Sequence, residues 1–156
     1  MAEQNTPKFT STIIYAAILI GAMITVLILH AVLWQIAGWS LSAKYFFEQA
    51  IMIGWGIVFP AILIVVAIVA PKIYDKSEYM PLIFGIIITV MGGLLILASG
   101  FYIVLSIGDA AYWIPSLPQT TGIYITFIIF SFVGLAFSIL ILLGGIKLLT
   151  QYMSKA

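Results

Sequence analysis

The side chains able to do chemistry are few, and they gather toward one end of the hydrophobic segments. His30 is the single histidine in 156 residues. Glu48 and Gln49 follow it across a short polar break, and Asp109 stands at the end of a later apolar run. One imidazole with two carboxylates is a donor set adequate for Zn²⁺ or a similar ion, or for a proton relay. An interfacial histidine bonded to a carbonyl or a tyrosine, with both carboxylates reaching water, accounts for the same residues without chemistry. His30, Glu48 and Asp109 are therefore a candidate polar site at which no metal is expected. A lone histidine leaves no nucleophile, base and orienting group to assemble, so the chain is not expected to catalyse a reaction by itself.

What is missing excludes more. With no cysteine there are no disulfides, thiolate metal sites, Cys-held clusters or thiol nucleophiles. The six basic residues are Lys8, Lys44, Lys72, Lys76, Lys147 and Lys155; without arginine there is no bidentate clamp for phosphate, and nucleic acid is not an expected partner. A b-type haem wants two axial ligands and His30 has no second imidazole. Haem or quinone is thus expected only if shared with partner subunits, whereas lipid is an expected companion. No carboxylate falls at the middle of a hydrophobic run, as a rotary-ring proton site or a small antiporter would require.

The elements that must position these groups are membrane helices. Hydrophobic residues make up 64% of the chain and charged ones 7%, against roughly half and a quarter in a soluble domain. Four runs reach the ~20 residues a crossing needs: 13–36, 47–70, 82–107 and 123–149. The first is too long for the apolar core of a signal peptide and is expected to be retained. Short connections at 39–42, 71–81 and 108–122 imply antiparallel neighbours, so the expected fold is a single-domain, all-α integral membrane protein: an up-down-up-down four-transmembrane-helix bundle. Five of the six lysines fall on the face shared by both termini and the central loop, which predicts cytoplasmic termini. His30 is about 26 Å along the first span from Ile13. It then lies toward the outer surface, below an aromatic belt of Trp34, Trp39, Trp113, Tyr45 and Tyr112.

Small residues at helical spacing suggest where helices meet, because packing in a bilayer relies on close backbone approach. The candidates are Gly21 with Ala17 and Thr25, Gly54 with Ala50 and Ala61, Gly85 and Gly92 with Thr89 and Ser99, and Gly134, Ser138 and Gly145 with Ser131. Pro60 removes a hydrogen bond and presses on the carbonyl of Gly56, predicting a kink inside the second span. A faint likeness between residues 73–80 and 148–155 is what apolar segments share by composition. The reading these features favour is a non-catalytic accessory subunit of a larger membrane complex, a respiratory or other energy-converting assembly being the familiar setting. The alternatives are a homo-oligomeric channel or small-solute transporter, and a subunit supplying a proton, metal or quinol site around His30.

Overall fold

The computed structural model describes residues 9–38 and 43–154. The Trp39–Ser42 connection, Lys8, Lys155 and the side chain of Lys44 lie outside that description. The described residues are almost wholly helical, with no strand among them. Helix α1 spans Thr10–Ile36; α2 (Ala43–Ile53), a π-helical turn (Gly54–Val58) and α3 (Phe59–Ile73) form one continuous rod; α4 spans Met80–Trp113 and α5 Thr121–Met153. Four of these helical stretches, Thr10–Ile36, Tyr45–Lys76, Met80–Trp113 and Pro118–Met153, are long and apolar enough to cross a membrane.

The boundaries follow local chemistry more than hydropathy. α1 stops at Gly38, whose φ of 67° is the left-handed conformation that glycine adopts without penalty, and its N–H turns back to the Gln35 carbonyl. The helix over 82–107 continues six residues further, through Asp109 to Trp113, and stops two residues short of Pro115. A polar residue at a helix end is no breaker, whereas Pro115 has no N–H with which to continue the ladder; Ile114 before it keeps helical angles and still donates to the Ala110 carbonyl. Pro81 and Pro118 sit in the first turns of α4 and of the short 3₁₀ turn before α5, where a missing N–H costs nothing.

Pro60 is buried just after the π-turn. The ladder reconnects around its absent donor by a five-residue step, the Phe59 N–H donating to the Gly54 carbonyl. Gly56 lies inside this wider turn, pressed on Met23 of α1.

The closest helix pair is α4 with α5. Gly85 meets Leu149, Gly92 meets Leu142 and Thr89 meets Gly145, with residue numbers falling on α5 as they rise on α4. A Cβ on Gly92 would stand 2.7 Å from the Leu142 nitrogen, so the two backbones are in direct contact. Gly134 faces the Ser99 hydroxyl, and the Ser99 and Ser138 hydroxyls lie 3.5 Å apart. Gly21 and Gly54, expected on helix seams, instead have nothing within 4 Å. The buried face of α1 is Thr12, Ala16, Leu19 and Ala22, which leaves Ala17 and Gly21 exposed.

Buried side chains form two groups. One, including Phe9, Ala16, Leu63, Ala67, Phe84, Ile88 and Ile141, fills the end of the molecule at which Phe9 packs edge-on against Tyr74 and Phe84. The other, Leu33, Ala110, Tyr124 and Phe127, lies at the His30 end. The space between them is not filled, and that is where the polar residues converge.

Candidate functional site: an internal cavity at the His30 end

His30 is positioned by α1 and held from two sides. The Trp34 indole N–H, one turn on, donates to its Nε2 at 3.2 Å, and the side-chain amide of Gln49 from α2 meets Nδ1. The ring stacks almost parallel on Tyr45, at 8° and 5.7 Å between centroids, and meets Trp34 edge-on and Phe127 at a tilt. These contacts determine its proton. An indole nitrogen can only donate, so Nε2 is the acceptor and a neutral ring carries its hydrogen on Nδ1. The Gln49 amide nitrogen stands against Nδ1; with the hydrogen on Nδ1 the amide must be turned so that its oxygen accepts, because its NH₂ would meet another donor. Both ring nitrogens are therefore engaged, and a metal would have to displace Trp34 or Gln49. Among the described residues no three His, Asp or Glu side chains converge on a point.

His30, Glu48 and Asp109 nevertheless share one feature: all three line a cavity of about 760 Å³. Asp109 lies within electrostatic range of His30 and Tyr124, and Glu48 within range of the Tyr102 phenol. From α4 come Ser99, Tyr102, Ser106 and Asp109, spaced three, four and three residues apart on one helical face. From α5 come Tyr124, Phe127, Ser131, Gly134 and Ser138 at the same rhythm. Trp55, Gly56 and Pro60 reach it from the rod that carries the π-turn. The cavity follows α1 from Trp34 to Leu19, about 22 Å of rise, and stops at the filled core of the Phe9 end.

Its polar groups differ in what they have left to offer. Ser131 and Ser138 donate to carbonyls of their own helix, Phe127 at 2.7 Å and Gly134 at 2.6 Å. Among the other hydroxyls of the small-residue stripes, which a conduction path between helices would have to use, Thr25 likewise bonds Gly21 and does not line the cavity, and the Thr89 hydroxyl is buried in the α4–α5 seam. The Tyr102 hydroxyl, like that of Thr89, is buried with no hydrogen-bond partner among the described residues, but unlike Thr89 it borders the cavity. A phenol O–H in apolar surroundings without a partner costs about 1–3 kcal/mol, so this is a place where a ligand atom gains by arriving. Tyr102 was not singled out by sequence reasoning, although its spacing from Ser99, Ser106 and Asp109 is visible in the chain.

His30 faces Trp34, Gln49 and aromatic rings, and among the described residues no serine is a hydrogen-bond partner of it. The geometry offers an apolar, aromatic-walled chamber of the volume that small ligands occupy, with a few polar groups at one end. Comparison with known protein families, with curated proteins and with solved structures finds no match in any of the three.

Proposed function

We propose that this chain is an integral membrane protein crossing the bilayer four times in up-down-up-down order, and that it serves as a non-catalytic, ligand-holding subunit of a larger membrane assembly. Membrane insertion is supported by the four long apolar helices and by large apolar side chains exposed along all of them, such as Ile28, Val65, Leu97 and Leu143. With 34 and 33 residues, α4 and α5 exceed a hydrocarbon core of about 30 Å and must tilt or extend into the headgroup layer. Lys72, Lys76 and Lys147 fall at the Phe9 end, which argues for that end being cytoplasmic. The His30 end then faces outward.

The cavity carries the functional part of the reading. It is open space of ligand size at one end and solid core at the other, which suits holding a molecule rather than conducting one. The channel alternative loses support because most of the hydroxyls it needs are bonded to their own helices or lie away from the cavity. The test is purification in mild detergent, with mass spectrometry of the proteins and small molecules that accompany the chain. Stoichiometric foreign subunits together with a retained apolar molecule are expected. A pure homo-oligomer that conducts ions in liposomes would replace this reading by the channel.

A further inference from the structure

The cavity opens sideways, and burial places the opening. Its lining residues that are also exposed are Phe47 and Ile51 on α2 and Phe101, Leu105 and Asp109 on α4. Each set follows four-residue spacing, so each is one edge of a helix. α4 meets the π-turn and α3 but has almost nothing against α2. The second rod and α4 therefore diverge toward the His30 end, starting from the Gly54–Val58 turn, and leave a cleft between α2 and α4. Phe47 and Phe101 on its two sides are 67% and 60% exposed, so the rim is hydrocarbon along most of its length. A molecule that enters here comes from the lipid.

What the cavity asks of that molecule is set by Tyr102. Its hydroxyl oxygen is buried, has no hydrogen-bond partner among the described residues, and belongs to a side chain that lines the cavity. A phenol hydrogen is satisfied only by an acceptor, so a ligand able only to donate would leave the cost of burying it in place. Depth supplies a second constraint. Tyr102 precedes Trp113, the last residue of α4, by 11 residues, about 16 Å along the helix. With Trp113 at the head-group level, as the four-span reading places it, that is about half of a 30 Å hydrocarbon core. The ester carbonyls of a phospholipid stay with its head group and fall short of this level, and a fixed charge carried there through lipid is strongly disfavoured. Farther in, the walls are Leu19, Ala22, Met23 and Leu95, and the one pair of hydroxyls, Ser99 and Ser138, lies together beside the Gly134 carbonyl that Ser138 bonds. That space suits an apolar body. Resting on the ligand-holding reading above, we infer that the occupant is an uncharged molecule dissolved in the hydrocarbon layer, with an apolar body and a carbonyl-type acceptor oxygen, which enters between α2 and α4 and takes the Tyr102 O–H as its hydrogen-bond donor.

The experiment uses the full chain in nanodiscs of ether-linked phosphatidylcholine, which bring no ester carbonyl of their own. The probes are three terminally brominated tails of matched length, a methyl ketone, an alkane and an alkylsulfonate. Saturable quenching of tryptophan reads their binding, since Trp34, Trp55 and Trp113 line the cavity. At equal concentration in the lipid, the ketone should bind about 5-fold or more tightly than either of the others, the gain of one hydrogen bond. In Tyr102→Phe it should fall to within about 2-fold of the alkane, with the unfolding midpoint of the empty protein equal to or above the parent's. The C=O stretch of the bound, ¹³C-labelled ketone should lie lower in the parent than in Tyr102→Phe, a shift that a packing role would not produce. Bridging Phe47→Cys to Phe101→Cys with a bifunctional thiol reagent, clean in a chain without cysteine, should slow association at least 10-fold. Ile51→Phe with Leu105→Phe should slow it without chemistry. Equal binding of ketone and alkane, or a ketone preference that survives Tyr102→Phe, overturns the acceptor assignment. Tighter binding of the sulfonate, or a charged molecule retained on purification, overturns the uncharged one. Unchanged association in both closed forms overturns the lateral route, and in each of these cases the ligand-holding reading stands. No saturable binding of any probe, together with no retained molecule on purification, sinks both.

Discussion

Replacing Gly92 by alanine adds one methyl group at the tightest kind of contact this fold contains. That carbon would lie 2.7 Å from the Leu142 nitrogen and 2.8 Å from its Cα, both backbone atoms that cannot rotate away. Ordinary contact begins near 3.5 Å, so α4 and α5 must part by roughly 0.7 Å or more. A gap of that size forfeits a quarter to a half of the dispersion energy of each atom pair along the seam. Overpacking of this kind costs about 1–3 kcal/mol. The neighbouring Gly93 supplies the control, because a Cβ there meets nothing within 4 Å. Both changes gain the same helix propensity, at most ~1 kcal/mol, so the difference between them isolates the clash. Unfolding in mixed micelles by increasing dodecyl sulfate, followed by circular dichroism, should find Gly93→Ala equal to or more stable than the parent. Gly92→Ala should fall about 1–3 kcal/mol below it. Gly145→Ala, facing the Thr89 backbone at 2.5 Å, should behave like Gly92→Ala. Equal midpoints for Gly92→Ala and Gly93→Ala would refute the claim that α4 and α5 touch backbone to backbone.

His30 is the only histidine, so its ¹⁵N resonances need no assignment; they should report a neutral ring protonated on Nδ1, and an Nε2–H tautomer would mean that Trp34 does not donate to it. Pro60→Ala restores a backbone donor, and a regular ladder in place of the π-turn would rotate α2 by about 100° relative to α3. Spin labels at Phe47 and Phe101 should then change separation by several ångströms, and an unaltered distance distribution would show that Pro60 does not hold the π-turn. Thr89→Val keeps the shape of a side chain whose buried hydroxyl has no partner among the described residues and should leave stability unchanged or raise it by about 1 kcal/mol; clear destabilisation in the same micelle titration would mean that the hydroxyl is satisfied. For orientation, a cysteine at Ser154 should be shielded from an impermeant thiol reagent in intact cells and one at Ser116 should react, the reverse pattern placing the His30 end inside.

The spans were legible because hydropathy is a local property of the chain, and prolines and Gly38 punctuate it. Their ends were less so: a drop in hydropathy at Gly108 and Asp109 looks like a loop, but backbone hydrogen bonding carries α4 on to Trp113. The small-residue stripes were ambiguous for a deeper reason. Gly21 and Gly92 carry the same spacing signal, yet one faces open space and the other a neighbouring backbone. In a chain apolar on all sides, periodicity does not separate an inward face from an outward one, since lipid and leucine are equally acceptable neighbours.

The candidate site divides along the same line. Residue type and position along the helices were enough to put His30, Glu48 and Asp109 at one end of the molecule, because distance along a helix is set by 1.5 Å per residue. Composition likewise excluded thiol chemistry, phosphate clamps and a two-histidine haem, since a missing side chain cannot be supplied by folding. That these three residues border a common cavity, that Trp34 and Gln49 take both nitrogens of His30, and that Tyr102 holds a hydroxyl unpartnered among the described residues depend on how helices from distant parts of the chain rotate and splay. Those angles come from backbone contacts such as Gly92 on Leu142 and from the π-turn before Pro60, which are sums over many weak long-range interactions and leave no periodic trace in any one segment.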